Sequence, residues 1–209
     1  NAISLSAKKT SNVKQILLHC GKLAPHRGTS VKPLRMLIMG VPNVGKSTII
    51  NALKNKKIAK VGNVPAVTKM QQRIEINSRM ILTDTPGMMW PKITNELDGI
   101  FLAASHSIGI NAYDEIETAL ILSDTSKERY PESLITYYGF KSPLPSDEEF
   151  LGHIAKARNF IIKGGKANLL KAAITFINDY RNGVIGKISL ESPSSRKLML
   201  DNSKTKQEI

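Results

Sequence analysis

The chain has 209 residues, enough for one good-sized domain or two small ones. Its 41% hydrophobic and 22% charged residues exclude wholesale disorder, and no apolar run reaches the roughly 18 residues of a membrane-spanning helix. The single cysteine, Cys20, excludes a disulfide scaffold or a cysteine-rich zinc site and favours a reduced, intracellular compartment. Because the chain begins at Asn1 and shows no signal peptide, we expect it to be part of a longer protein.

The net charge of +13 is distributed in three blocks. Residues 1–92 carry 16 basic and 2 acidic side chains, residues 93–150 carry 3 and 11, and residues 151–209 carry 11 and 4. This basic–acidic–basic order predicts at least two structural regions and a polyanionic partner. A merely solvated basic surface is the alternative. An anionic membrane is disfavoured, because the sequence has no strongly basic amphipathic helix.

The first half of the chain has the periodicity of an α/β sheet. The predicted elements are, in chain order, a helix at 11–20, a buried strand at 34–39, a helix at 47–53, and strands at 72–76 and 80–83. In the strand predicted at 72–76, Ile74 and Ile76 are expected on one face.

After Pro91 the periodicity becomes helical. The predicted helices are one capped by Thr94, one capped by Asn111, one between Pro131 and Gly139, one over 148–162 and one over 168–180. The apolar stripe of the last helix is expected to comprise Leu169, Leu170, Ala173, Ile174 and Ile177. From Ser192 the tail is polar and is expected to fray.

Residues 40–47 read GVPNVGKS and match the phosphate-binding pattern GxxxxGK[ST], the P-loop. Glycines let backbone amides turn toward phosphate oxygens, Lys46 brings a positive charge to the β- and γ-phosphates, and Ser47 offers its hydroxyl to Mg²⁺. A chance glycine loop is the alternative, but an apolar strand precedes it and a helix follows, as this mechanism requires. The predicted nucleotide-binding residues here are Pro42, Asn43, Val44, Gly45, Lys46, Ser47 and Thr48.

A P-loop enzyme also needs an acidic residue at the end of a neighbouring strand to hold Mg²⁺. Asp84 stands at such a position, and in the following Thr85-Pro86-Gly87 the glycine allows a backbone N–H to approach the γ-phosphate. Alone, this segment would indicate an ordinary aspartate–proline turn. Thr68, in the preceding loop, offers a hydroxyl that reaches Mg²⁺ and the γ-phosphate when the loop is ordered. We predict Ser47, Thr68 and Asp84 as magnesium ligands and Lys46, Thr68 and Gly87 as catalytic residues.

The motifs GVPNVGKS, PAVT and DTPG resemble those of translation-factor-related GTPases. No guanine-specificity motif NKxD follows DTPG, and Ser6-Ala7-Lys8, similar to the motif that buttresses guanine, precedes the P-loop. In this permuted order, and in the WPK that follows DTPG, the chain resembles the YlqF/RbgA family of circularly permuted ribosome-assembly GTPases. The resemblance implies an α/β P-loop GTPase fold, incomplete at the N-terminus, followed by a small all-helical C-terminal domain.

Four regions are expected on this basis. They are the core of the permuted GTPase domain at 1–92, helices that pack on it or link from it at 93–142, a helical RNA- or ribosome-contact domain at 143–191, and a flexible tail at 192–209.

The resemblance implies a GTP-binding and GTP-hydrolysing switch that acts in assembly of the large ribosomal subunit and contacts its rRNA. It implies GTP as substrate, Mg²⁺ as cofactor, a monomer without membrane insertion, and the bacterial cytoplasm, with the mitochondrial matrix as alternative. Ser6, Ala7 and Lys8 would support the guanine, but the missing NKxD leaves the base undetermined by residues in this chain. A P-loop ATPase and an rRNA-binding module without turnover remain alternatives.

Met88 occupies the position at which Ras-like GTPases carry a water-orienting glutamine. A thioether cannot orient water, so we expect slow hydrolysis that the ribosome and K⁺ stimulate. Asn43 resembles an asparagine that helps to hold K⁺ in related GTPases, and Trp90 is expected to be a packing residue. The basic residues expected to contact rRNA are Lys156, Arg158, Lys163, Lys166, Lys171, Arg181 and Lys187.

Overall fold

The structure is a computed structural model that describes residues 3–7, 9–56, 70–90, 92–109 and 113–198. The chain divides into two compact units, a first unit of residues 1–93 with 106–109 and a second unit of residues 94–105 with 110–209. The elements are α1 (Thr10–Leu23), β1 (Leu34–Ile38), α2 (Lys46–Lys54), β2 (Gln72–Asn77), β3 (Met80–Asp84), α3 (Glu96–Ala104), α4 (Glu115–Arg129), α5 (Pro131–Tyr138), α6 (Asp147–Ala157) and α7 (Leu169–Asn182). Within these described ranges, no helix has the length and apolar character that crossing a bilayer requires.

The first unit is built on a three-stranded sheet with the strand order β1-β3-β2. β1 and β3 are parallel, with Ile38 opposite Asp84, whereas β2 runs antiparallel to β3. Since parallel neighbours end at the same edge of a sheet, the chain leaves β1 and β3 side by side. That edge carries the P-loop and the carboxyl group of Asp84.

The core of the first unit is small and lies between the sheet and α2. It contains Ile50, Ile74, Ile76 and Leu82, each at most 9% exposed, and each such side chain contributes about 1.5–3 kcal/mol on burial. The prediction that Ile74 and Ile76 share a face is confirmed. The prediction of a buried first strand is only partly correct, because β1 buries Leu34 but leaves Leu37, on its other face, 57% exposed.

The second unit is helical and has one continuous core, to which α3 through α7 contribute. At its centre the rings of Phe150 and Phe176 meet edge to face at 5.1 Å, a favourable aromatic geometry. The predicted stripe of α7 is only partly correct. The helix buries Ala173 and Ile177 as expected, but it also buries Phe176 and leaves Leu170 and Ile174 48% and 40% exposed. The buried face of α7 thus comprises Ala172, Ala173, Phe176 and Ile177.

Several predicted helix ends differ from the observed ones. Asn95, not Thr94, caps α3 by accepting the N–H of Leu97, and Asp114, not Asn111, caps α4 by accepting that of Glu117, both at 2.9 Å. The helix predicted over 148–162 ends at Ala157, because Asn159 turns the chain with a φ of 54°. Pro131 and Gly139 bound α5 as predicted. The helix predicted over 168–180 is α7, which Asn168 and Gly183 bound.

The beginning of the tail is ordered, although the sequence predicts fraying from Ser192. Residues 193–198 are helical, and the Arg196 guanidinium donates to both carboxylate oxygens of Asp98 near the start of α3. This pairing raises the pKa of Arg196 above its ordinary value. Residues 199–209 lie outside the described residues, and the four-region division of the chain stays a prediction.

Candidate functional site

The P-loop, residues 40–47, curls around its own lysine. The Lys46 ammonium donates to the backbone oxygens of Gly40 at 3.0 Å and of Val41 at 2.9 Å. An ammonium has three N–H donors, so this arrangement positions Nζ over the loop with one donor left for a ligand. Gly45, with a φ of 93°, precedes α2 and lets the chain enter the helix with its first amides at the loop.

Two buried charges of opposite sign lie at this edge of the sheet. Lys46 is 9% exposed and Asp84 is 1% exposed. Burial lowers the pKa of Lys46, whereas the neighbouring Asp84 carboxylate acts in the opposite direction and favours the charged ammonium. The site therefore holds a cation and an anion where water is largely excluded, so a phosphate and its metal ion would interact with them strongly.

The segment after β3 is tied to the P-loop by its backbone. The Thr85 hydroxyl donates to the backbone oxygen of Ile38 at 2.8 Å, and the Met88 N–H donates to that of Gly40 at 3.3 Å. Gly87 approaches so closely that a Cβ there would lie 2.7 Å from the Cα of Pro42. Only glycine fits this contact, which brings the predicted γ-phosphate-binding backbone beside the phosphate loop.

Gly87→Ala is expected to destabilise the fold by about 1–3 kcal/mol and to weaken nucleotide binding, because the new methyl group meets backbone atoms that cannot move independently. Urea unfolding and titration with fluorescent GTP measure the two effects. Gly109→Ala, in the same unit, is the matched control, since a Cβ there has no neighbour within 4 Å. If the two variants had the same stability and the same affinity for GTP, the close contact between Gly87 and Pro42 would be contradicted.

Asn43 makes a contact that the sequence does not indicate. Its side-chain amide donates to the backbone oxygen of His106 at 2.8 Å, within the first unit, and its backbone adopts a left-handed φ of 59°. This hydrogen bond orients the amide so that Oδ1 faces away from the carbonyl. Oδ1 is the atom that would bind a cation, and the potassium site stays a prediction.

The remaining predicted site residues fall into three groups. Ser6 and Ala7 lie in the turn before α1, where the Ser6 carbonyl accepts the N–H of Lys9 at 3.0 Å. Lys8 and Thr68 lie outside the described residues. Of the other residues in the loop, Pro42 is buried, Ser47 and Thr48 are half-buried on the first turn of α2, and Val44 is 54% exposed.

The oxygen donors at this edge of the sheet suit a Mg²⁺ ion that is also bound by the substrate. Ser47 and Asp84 offer hard oxygen atoms, which Mg²⁺ prefers, while its remaining ligands are typically phosphates and water. Across the described ranges, no group of three or more His, Cys, Asp or Glu side chains could hold a metal ion. The hydroxyl of Ser47 and the carboxyl group of Asp84 fit a magnesium ion that arrives with a phosphate ligand.

Two sequence interpretations outside the loop are wrong. Trp90 is not a packing residue, because it is 68% exposed. Arg181 is not free to contact rRNA, because its guanidinium donates to the backbone oxygens of Ala103 at 2.7 Å and Ala104 at 2.8 Å, and burial lowers its pKa. Arg181 instead ties α7 to the end of α3.

Comparison with known proteins gives concordant matches. Residues 35–138 match the family of 50S ribosome-binding GTPases. The chain is 34% identical over 200 residues to the ribosome biogenesis GTPase A of Bacillus cereus, covering 92% of this chain and 67% of that protein. For the homologue of Priestia megaterium the identity is 33%, covering 92% and 70%, and for that of Bacillus licheniformis it is 36%, covering 80% and 59%. The chain thus spans between about three fifths and seven tenths of the length of these relatives.

Solved structures agree with the sequence matches. A GNP-bound YlqF from T. maritima superposes with a TM-score of 0.53 at 27% identity, covering 86% of this chain and 65% of that one. The GDP-bound structure of TM YlqF gives 0.55 at 28% identity, covering 87% and 67%. The predicted α/β P-loop GTPase fold is confirmed by these matches.

Proposed function

Because the chain belongs to the ribosome biogenesis GTPase A family and contains a GTPase domain, we propose that it binds and hydrolyses GTP at the P-loop as a switch in assembly of the large ribosomal subunit. One observation supports this most strongly. The Lys46 ammonium is positioned over the loop by two carbonyls, beside the buried carboxyl group of Asp84 at the end of the adjacent strand.

Each residue of the site has a role in this proposal. Backbone amides of the P-loop and the first turn of α2 bind the β-phosphate, and the remaining N–H of Lys46 reaches the β- and γ-phosphates. Ser47 and Asp84 would hold Mg²⁺, which supplies neutralisation of the phosphate charge when it is bound. The backbone N–H of Gly87 binds the γ-phosphate, and the Thr68 hydroxyl is expected to reach Mg²⁺ and the γ-phosphate.

Met88 occupies the position from which a side chain would orient the attacking water. Met88 is 52% exposed and has no group that accepts or donates a strong hydrogen bond to water. Hydrolysis by the chain alone is therefore slow, and the ribosomal particle supplies or positions the missing group. K⁺ beside Asn43 would add positive charge at the transition state, and equal rates in Na⁺ and K⁺ would dismiss that role.

The second unit offers a basic surface for rRNA. Residues 151–178 contain no acidic side chain, and Lys156, Lys163 and Lys166 are exposed. Other basic residues there are engaged within the protein. Arg158 donates to the Tyr137 hydroxyl at 3.2 Å, and the Lys171 ammonium lies 4.4 Å from the centre of the Phe160 ring. We place the rRNA contact on the three free lysines and on exposed Lys187.

Replacing Lys163 and Lys166 together by alanine is expected to reduce the slope of log K against log salt for RNA binding by about 1.4–1.8, because two phosphate contacts are lost. Filter binding at several salt concentrations measures the slope. Arg181→Met is the contrasting control: it is expected to lower the melting temperature while leaving the slope unchanged. An unaltered slope in the double variant would place the RNA elsewhere.

One experiment separates the three candidate functions. Phosphate release from GTP is measured for the full chain with and without large ribosomal subunits, and ATP is added as a competitor. Stimulated release that ATP does not inhibit supports the GTPase. Inhibition by ATP indicates an ATPase, and particle binding without release indicates a binding module.

The bacterial source of the three ribosome biogenesis GTPase A homologues compared above favours a cytoplasmic site of action over the mitochondrial matrix.

A further inference from the structure

Trp90 presents a large aromatic surface to solvent in the first unit. It is 68% exposed, and Met88, two residues earlier, is 52% exposed. Tryptophan is highly buried on average in folded proteins, because its ring contributes a large apolar area. Because tryptophan is also enriched at interfaces, the segment that exposes both Trp90 and Met88 is a candidate contact region.

The backbone just before Trp90 is fixed independently of its side chain. The Thr85 hydroxyl and the Met88 N–H each hold the segment to the P-loop region, and Gly87 lies against Pro42. The last of these backbone contacts is two residues from Trp90. The ring is thus presented from an anchored position rather than from a long unattached loop.

The sequence on both sides of Trp90 is rich in basic residues and poor in acidic ones. Residues 1–92 contain 16 basic side chains, and their two acidic residues are Glu75 and the buried Asp84. Lys92, two residues after the ring, is exposed, and residues 85–95 contain no acidic side chain. This distribution of charge favours a polyanion over a cationic partner.

We propose that Trp90 stacks on an unpaired RNA base, while Lys92 contacts a phosphate of the same strand. Single-stranded nucleic acid combines flat π faces with a regular anionic backbone, and proteins bind it with aromatic rings set in basic surfaces. The centre of a protein–protein interface is instead depleted of charge. The inference rests on the proposed contact with the ribosomal particle and adds a second RNA-binding surface to the one in the second unit.

Trp90 is the single tryptophan of the chain, so its fluorescence reports directly on this contact. The probe is a mixed-sequence single-stranded RNA of about 12 nucleotides, within the range that such proteins cover. Two control ligands carry the negative charge without accessible bases. They are the fully paired duplex of the same RNA and inorganic polyphosphate. The single strand is expected to quench the emission, whereas the duplex and polyphosphate bind without quenching.

Three variants of the full chain test the energetics. Trp90→Leu is expected to weaken binding of the single strand about tenfold, Trp90→Phe to retain most of it, and neither to change the affinity for polyphosphate. Leu23→Ala, which removes an 85% exposed apolar side chain from α1, is the matched control and is expected to bind like the wild type. Undiminished binding of the single strand by Trp90→Leu, or an equal loss of polyphosphate binding, would overturn the proposal.

Two further outcomes separate this inference from the proposed function. If RNA-free ribosomal proteins quench Trp90 and the single strand does not, the ring contacts protein and the stacking proposal is overturned. If the wild-type chain fails to bind fluorescent GTP while the effects of Trp90→Leu on RNA persist, the stacking proposal stands and the proposed GTPase function fails.

Discussion

Lys46→Ala is expected to lower the affinity of the chain for GTP by about 100-fold, or about 2.8 kcal/mol. The ammonium is the charge that the P-loop places over its bound phosphates, and it is already oriented by the carbonyl oxygens of Gly40 and Val41. Its removal leaves those carbonyls without a donor and leaves the buried carboxyl group of Asp84 without its neighbouring cation. The loss is therefore larger than that of one surface charge.

Titration of the full chain with a fluorescent GTP analogue measures this effect. Lys56→Ala, which removes an exposed lysine just after α2, is the matched control and is expected to bind like the wild type. Urea unfolding of each variant shows whether it is folded under the conditions of the titration. A folded Lys46→Ala variant with wild-type affinity would mean that the loop does not bind the phosphates.

Asp84→Asn is expected to remove most of the Mg²⁺ dependence of GTP binding while keeping the shape of the side chain. The amide has no negative charge for the metal ion, and a loss of about tenfold to 100-fold is expected when Mg²⁺ is present. Since the carboxylate favours the charged form of Lys46, its loss also lowers the pKa of that lysine further.

The same titration is carried out with Mg²⁺ and with EDTA. The wild type is expected to bind GTP much more tightly with Mg²⁺ than with EDTA. Asp84→Asn is expected to bind GTP with nearly the same affinity in both conditions. Glu75→Gln, on neighbouring β2, is the control for loss of a carboxylate. It is expected to keep the full Mg²⁺ dependence of GTP binding. Retention of the dependence by Asp84→Asn would remove this residue from the metal site.

The P-loop and the strand-end aspartate could be predicted from sequence because each depends on short-range features. A glycine-bounded loop between an apolar strand and a helix has few alternative conformations, and Asp84 directly follows the apolar residues of its strand. Parallel pairing of the two strands, observed with Ile38 opposite Asp84, then brings both strand ends to the same edge of the sheet. The bounds of α5 were predictable for a similar reason, since Pro131 and Gly139 have strong backbone preferences.

The features that sequence did not predict depend on contacts between distant residues. Neighbouring polar residues such as Thr94 and Asn95 are equivalent candidates for a cap until the packed helix fixes its starting point. Arg181 finds its carbonyl partners 77 and 78 residues earlier, and no local pattern records that. The exposure of Trp90 is likewise not recorded in any local pattern, since the residue type favours a buried ring.

The most direct test is a crystal structure of the chain with a non-hydrolysable GTP analogue and Mn²⁺ in place of Mg²⁺, located by its anomalous signal. We expect the β-phosphate within residues 40–47, with Lys46 Nζ in contact, and the Mn²⁺ peak between the Ser47 hydroxyl and the Asp84 carboxyl group. A nucleotide bound elsewhere, or a Mn²⁺ peak remote from both side chains, would contradict the account.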